Sequence, residues 1–307
     1  MSIEAGRQLQ EIAKALVRAG KKARRRGKPK DWHRLRTTSR RMRGALTAFT
    51  AALDPALLPR LARRAKKITK LPGTVRDLDV ALENLRFLRD AAQIGGERKA
   101  AKEMLRRLED ERERKDRRLR RRLRRKRPVQ RLRARLKKAL RHPAPPSPHG
   151  DDSAALAATS AVVQERLAAV GGWDEDEKLH ALRVAVKHHR GALGAWVDAH
   201  PGHVREQRQI LDTLQKVQAM LGEHHDWSEL AKRLDDRRRA LANDGARHRE
   251  LVGYEALLGR ARLEQKSRYE RYRAELHDGL AVQLGEPVAQ ARPRVGRSIF
   301  GMVAVNN

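Results

Sequence analysis

The sequence predicts an all-α protein built as an internal duplication, and three observations carry that prediction. Apolar residues recur at helical spacing along almost the whole 307-residue chain, with no stretch of sustained strand-type alternation. A fourteen-residue segment beginning at His33 returns 147 residues later, at His180, with seven identical positions. The clearest break, Arg141-His142-Pro143-Ala144-Pro145-Pro146-Ser147-Pro148-His149-Gly150-Asp151, lies between the two copies, and its four prolines forbid a helix.

Taken in order, the periodicity places helices at 2–19, 31–52, 55–70, 75–93, 97–126 and 129–141 before the break. After it, helices are expected at 153–170, 174–199, 203–221, 225–243 and 246–283. The expected organisation is a first bundle over 1–141, a linker over 142–152, a second bundle over 153–283 and a tail over 284–307. The tail carries Pro287 and Pro293, so disorder is expected there, with Ser298-Ile299-Phe300-Gly301-Met302-Val303 as its one apolar run. Asp31 is placed to cap the helix that carries the first copy. Asp174 with Glu177 resembles a capping box for the second, with Trp173 at the staple position. Leu35, Met42, Leu46 and Phe49 form the apolar side of the first repeated helix; Leu182, Val186, Leu193 and Trp196 form that of the second.

The repeated segment carries a cationic ladder. His33, Arg36, Arg40 and Arg43 stand at the same spacing as His180, Arg183, Lys187 and Arg190. Residues three, seven and ten places apart fall within an arc of roughly 80° and span about 15 Å on a helix. Each copy therefore presents one imidazole and three cations on one face, opposite the side that packs. Such a ladder grips a long, regularly charged polyanion; an ordinary solvated helix face is the plain reading set against it.

A second element follows each ladder. Lys67-Ile68-Thr69-Lys70-Leu71-Pro72-Gly73-Thr74-Val75-Arg76-Asp77 matches Lys216-Val217-Gln218-Ala219-Met220-Leu221-Gly222-Glu223-His224-His225-Asp226. A Lys stands six residues before a Gly, and an Asp four residues after it. The Gly suits a helix terminus, and Asp77 and Asp226 sit where the next helix begins. Each is expected to cap that helix or to hold a neighbouring Arg or His, rather than to act as a general base.

Composition narrows the partners. A net charge of +33 calls for an anion: nucleic acid, anionic lipid or another polyanion. Aromatic residues make up only 3%, few for stacking on unpaired bases. With no cysteine, disulfides, thiolate zinc sites and thiol nucleophiles are excluded. The doublets His188-His189 and His224-His225 point to different sides of a helix and no His-x-x-x-His pair accompanies them, so neither metal nor cofactor is expected. No eighteen consecutive apolar residues occur and no secretory pattern opens the chain, so a cytoplasmic protein without membrane contact is expected. From Arg112 to Arg141, eighteen of thirty residues are Lys or Arg, with Leu119, Leu123, Leu132, Leu136 and Leu140 as an intermittent seam. A solvated basic arm, helical and broken at Pro128, is the expected reading of that stretch.

The twice-repeated ladder, each followed by its Gly-x-x-(Arg/His)-Asp element, resembles the CHAD family, the conserved histidine α-helical domain. The resemblance covers residues 5–283. It implies two pseudo-symmetric helical bundles around a basic cavity that binds inorganic polyphosphate without catalysis, with association to polyphosphate granules as one consequence. By resemblance the ligand-facing residues are His33, Arg36, Arg40 and Arg43, with His180, Arg183, Lys187 and Arg190. Lys67 and Lys216 join them, then Arg76 and His225. The first turn departs from the family in reading Leu-Pro-Gly. Arginine forks suit phosphate oxygens, and histidines beside an anion can be protonated, so binding is expected to weaken as pH rises through the histidine range.

Two other functions stand beside this one. The charge and the Arg-rich stretch also fit a nucleic-acid-binding helical protein. Glu111-Arg112-Glu113-Arg114-Lys115 matches the Glu-x-Glu-x-Lys motif of the CYTH triphosphatases, which would make the chain an accessory phosphohydrolase. That motif belongs on a strand of a β-tunnel, and here it falls in a helical, arginine-rich run, so coincidence is the expected reading. No phosphate-cradling Gly-x-x-x-x-Gly-Lys loop and no Gly-x-Ser-x-Gly elbow is present either.

Overall fold

The computed structural model describes residues 2–48, 53–54, 56–141, 152–199, 205–244 and 248–285, and helices take up nearly all of them, with no strand among them. Linker residues 142–151, Phe49, the side chain of Trp196 and the tail beyond 285 lie outside the described residues. The first half contains α1 (Ser2–Arg26), α2 (Pro29–Ala48), α3 (Leu58–Lys70), α4 (Gly73–Asp90), α5 (Gly95–Lys126) and α6 (Pro128–Ala139). The second contains α7 (Asp152–Ala168), α8 (Asp176–Ala199), α9 (Arg205–Asn243), α10 (His248–Tyr272), a π-helical turn (Arg273–His277) and α11 (Asp278–Gly285). The ladders lie on α2 and α8.

Matching the repeats pairs α9 with α3 and α4 together, and this corrects one expectation. The second half has no turn at Gly222: α9 runs unbroken for 39 residues. The reason is a single position. Pro72 lacks an N–H and ends the hydrogen-bond ladder after α3, with Leu71 N–H still reaching the Ile68 carbonyl at 3.1 Å. Leu221 takes the place of Pro72 and restores that donor. Gly222 alone weakens a helix by only about 1 kcal/mol, too little to break it.

Three apolar clusters hold the chain. The first is enclosed by α1, α2, α3, α6 and the second half of α5, around Trp32, Leu35, Met42, Leu46 and Ile68. The third is enclosed by α7, α8, α11 and parts of α9 and α10, around Leu182, Val186, Leu193 and Tyr272. Between them lies a cluster that two self-contained bundles would not have. Leu78, Leu85 and Met104 of α4 and α5 interlock with Trp227, Leu234 and Leu257 of α9 and α10. The halves are thus joined by a common core. At its edge α5 and α10 cross closely, so that a Cβ on Gly253 would stand 2.5 Å from the carbonyl oxygen of Gly96.

Both ladder helices are pinned at their N-terminal ends, by different chemistry. Gly27 turns the chain between α1 and α2 with φ of 62°, and a Cβ there would meet Asp116 Oδ1 at 2.6 Å. Asp116, buried on α5, accepts the indole N–H of Trp32 at 2.7 Å and pairs with Arg120 at 2.8 Å. Next to it Arg112 pairs with Asp79 of α4 at 2.6 Å. Asp31 is not the cap: α2 begins at Pro29, and Asp31 sits buried in the first turn with its Oδ2 unpartnered among the described residues.

In the second half α8 begins at Asp176, so the capping box of Asp174 with Glu177 does not form. Instead Glu175 accepts the backbone N–H of Gly171 at 2.6 Å and of Gly172 at 3.3 Å. Asp176 accepts Ser228 at 2.6 Å and Gln265 at 2.8 Å, tying α8 to α9 and α10. The buried His224 donates to the Trp173 carbonyl at 2.8 Å.

The arginine-rich stretch is not a solvated arm. Leu119, Leu123, Leu132 and Leu136 are all buried in the first cluster, and α6 packs on α1 and α3. The helix does break before Pro128, at Arg127 with φ of 37°.

Candidate functional site

The ladder helices α2 and α8 pack against each other, and their cationic rows meet along that contact. Their reciprocity shows the geometry. Arg40 lies within electrostatic reach of Arg183 and Arg190. Its counterpart Lys187 lies within reach of Arg36 and Arg43, the counterparts of those two. Asp77 feels Arg183, and its counterpart Asp226 feels Arg36. Arg36 and Arg183 lie within electrostatic reach of each other, as do Asp77 and Asp226. Exchange of these pairs between halves is the mark of an approximate two-fold arrangement.

The Gly-x-x-x-Asp element explains how the central arginines are seated. A Cβ on Gly73 would lie 3.1 Å from Nη1 of Arg36, and one on Gly222 would lie 3.8 Å from Nε of Arg183. Each glycine therefore opens a shelf over which the ladder arginine lies. One turn further on, Asp77 Oδ1 stands 3.7 Å from Arg36 Nη1, and Asp226 is the strongest charge acting on Arg183. Gly73 begins α4, whereas Gly222 sits inside α9. Neither aspartate is an N-cap, and both hold a neighbouring arginine.

Carboxylates are too few to neutralise the rows. Burial, then Arg183, Arg40, Arg36 and Arg43, lowers Lys187 from 10.5 to about 8. Burial and the surrounding cations lower Arg40, which remains charged. Loss of water around the two aspartates lifts both above the ordinary range, Asp226 to about 6, against the pull of the nearby arginines. Asp77 nevertheless keeps a solvent-facing edge. A cluster of this kind holds like charges together at an energetic cost that an arriving anion relieves.

The histidines carry a correction. Burial first and neighbouring cations second lower His33 and His180 below the ordinary value of 6.5. His225 falls to about 4 for the same reasons, its ring 4.8 Å from that of His180. In the ligand-free protein these rings enter a neutral-pH site as neutral groups, and their protonation window lies below the ordinary histidine range. His33 has Arg76 for its neighbour, so Arg76 and His225 occupy matching places. His189 is buried beside Thr159, 2.9 Å from its hydroxyl, and serves the core as His224 does.

Lys67 and Lys216 are exposed on α3 and α9, and among the described residues no hydrogen bond or ion pair joins either to the rows. The residues just before them do reach the site. Lys66 acts on His188, and Gln215 accepts Arg190 Nη1 at 3.1 Å. Sequence reading missed both, because the shared frame marks Lys67 and Lys216 while it is the preceding residue on α3 and on α9 that reaches side chains of the ladder helix α8. It also missed Glu229 and Lys232, which act on His180 and His225 from about one and two turns beyond Asp226.

Among the described residues no three His, Cys, Asp or Glu side chains gather to hold a metal. No helix there is long and apolar enough to cross a membrane. Glu111 pairs with Arg233 at 3.2 Å and Glu113 with Arg117 at 2.5 Å, on the helix α5. On a helix the alternate residues of Glu-x-Glu-x-Lys diverge, where a strand would align them.

The family model of the CHAD domain matches residues 7–235 and again residues 154–298. PptA from Streptomyces chartreusis shares the fold with a TM-score of 0.66 and 18% identity, over 93% of this chain and 99% of that one. The crystal structure of the CHAD domain from the plant Ricinus communis gives a TM-score of 0.61 and 20% identity, over 93% of this chain and 91% of that one. At such identities the likeness is one of fold. A comparison with curated proteins gave no match. The chain belongs to the CHAD domain family.

Proposed function

We propose that this CHAD domain binds inorganic polyphosphate along the line where α2 and α8 meet, and that it does so without catalysis. The observation that carries the reading is the reciprocal meeting of two under-neutralised ladders. Arg36, Arg40 and Arg43 run along one side, and Arg183, Lys187 and Arg190 along the other, with His33 and His180 at the ladder heads. Polyphosphate offers a repeating row of anionic oxygens and no bases, so a site of guanidinium forks without aromatic platforms suits it. Lys66, Arg76, His188, Gln215 and His225 border the same line and supply further donors; Lys67 and Lys216 are placed to extend it outward.

Binding of long-chain polyphosphate by the Arg36→Ala/Arg183→Ala variant tests this. Removing each charge-assisted hydrogen bond costs about 1.5–3 kcal/mol, so affinity should fall on the order of 100-fold or more. Two substitutions on the outer face of α6, Arg131→Ala with Arg133→Ala, should weaken it far less. Equal losses would replace the site by a diffuse cationic surface. Chains shortened by the protein in the presence of a divalent metal would overturn the non-catalytic part.

A further inference from the structure

The excess positive charge of this chain is not where the ladders need it. Residues 1–141 hold 47 Lys and Arg against 15 Asp and Glu, a net +32. Residues 142–307 hold 24 against 23, a net +1, although each half supplies one ladder. A symmetric anion site therefore accounts for little of the difference. Outside the ladder helix, the surplus collects in three further acid-free stretches: residues 12–30, residues 55–76 (apart from Lys66, Lys67 and Arg76, which border the ladders), and residues 117–141, the last with 15 Lys and Arg. They form most of α1, all of α3, and α6 with the end of α5.

The fold turns these stretches into one face. Their apolar sides fill the first cluster, which leaves the cations outside; Arg121, Arg125, Arg131, Arg133 and Lys138 are all exposed. Because α6 packs on α1 and α3, and both of these pack on α2, α6 lies across the bundle from the first ladder. Arg64 of α3 lies within reach of Arg131 and Arg135 of α6, so neighbouring helices contribute to a continuous surface.

We propose that this outer face is a second polyanion surface, separate from the ladders, and that it takes the phosphate backbone of double-stranded nucleic acid without regard to sequence. Helices packed roughly 8–10 Å apart spread its charge across two or three helix widths. That breadth suits two phosphate rows flanking a groove about 12 Å wide better than a single file of phosphates. The face lacks the groups that other anionic partners call for. Among the described residues the exposed large apolar side chains are Phe87, Ile94, Val162, Val252 and Leu263, and none lies on α1, α3, α6 or the basic end of α5. Without them there is nothing to enter a lipid headgroup layer and nothing on which unpaired bases would stack.

The test uses the full chain and a fluorescent random-sequence duplex of about 30 base pairs, titrated across a range of salt. Arg121, Arg125, Arg131, Arg133 and Lys138 are changed together to Gln, and circular dichroism checks that the helices persist. Duplex affinity should fall at least tenfold, and the slope of log affinity against log salt should flatten by about 0.9 for each phosphate that is no longer neutralised. Polyphosphate affinity should stay within about twofold of the parent, since this ligand's site lies across the bundle. Arg36→Ala/Arg183→Ala should do the reverse, so the two assignments fail separately. Unchanged duplex binding in the five-Gln variant, or its loss in the ladder variant, would overturn the proposal. So would single-stranded DNA, or phosphatidylserine vesicles, binding more tightly than the duplex at equal phosphate.

Discussion

The two halves of this chain repeat the same ladder and the same Gly-x-x-x-Asp element, yet they differ in almost everything that surrounds the ladder. Each seats a central arginine over a glycine and opposite an aspartate. Around that shared device, the first half anchors its helix through Asp116 and Trp32, and the second through Asp176, Ser228 and Gln265. The first carries +32 and the second +1. What is held constant between halves is local geometry at the meeting line. Net charge varies freely, so it reports on other surfaces rather than on the site.

The junction between the halves gives the largest expected effect. Gly253→Ala would drive a methyl group against the backbone of Gly96, which cannot swing aside as a side chain would. Denaturant unfolding should show a loss of about 3 kcal/mol. The facing change, Gly96→Ala, finds its nearest atoms at 3.7 and 3.8 Å and should be tolerated within about 1 kcal/mol. Equal losses would mean that the crossing is looser than described.

The anchors come next. Asp116→Ala leaves the buried indole N–H of Trp32 without an acceptor and should cost about 2 kcal/mol by the same measurement. Polyphosphate affinity should also fall, because the start of α2 loses its fixed place.

The two rows also differ in one titrating group. Arg40 stays charged at any ordinary pH, while its counterpart Lys187 has been lowered to about 8. The protonated amine is the form that binds an anion, so its contribution is complete well below pH 8 and is lost as pH rises through it. Affinity should fall by up to about tenfold between pH 7 and pH 9, and Lys187→Arg should abolish that fall. In the free protein the sign is opposite. Between pH 8 and 10.5 the unfolded chain holds a proton that the folded one has released, so stability rises there. Charging of His33 and His180 adds a separate gain in affinity that builds as pH falls and is complete only below the ordinary histidine range.

The smallest effect separates the glycine shelves. Gly73→Ala would push Arg36 aside from 3.1 Å and should weaken binding a few-fold. Gly222→Ala leaves Arg183 room at 3.8 Å, and within α9 it should stabilise the fold by about 1 kcal/mol with binding unchanged.

Much of this was legible in the sequence for a physical reason: helical periodicity and a doubled motif are local patterns. Leu35, Met42 and Leu46 are buried as expected, and so are Leu182, Val186 and Leu193. The ladder spacing placed its cations on the opposite face. What could not be read depends on meetings between distant segments. The central cluster, the Gly96–Gly253 crossing and the bond from Trp32 to Asp116 leave no mark at any fixed spacing. The arginine-rich stretch misled because its leucine seam, plain in the sequence, gave no sign of the helices α1 and α3 that it packs on. At Gly222 the residue type suggested a helix end, and only the neighbour at 221 decided otherwise.

The interruption at Leu71–Gly73, facing an unbroken α9, leaves the two sides mechanically unlike. One side of the meeting line hangs from a knuckle between two short rods, and the other is fastened to a stiff strut of 39 residues. A symmetric motif is thus mounted on an asymmetric frame, jointed on one side and continuous on the other.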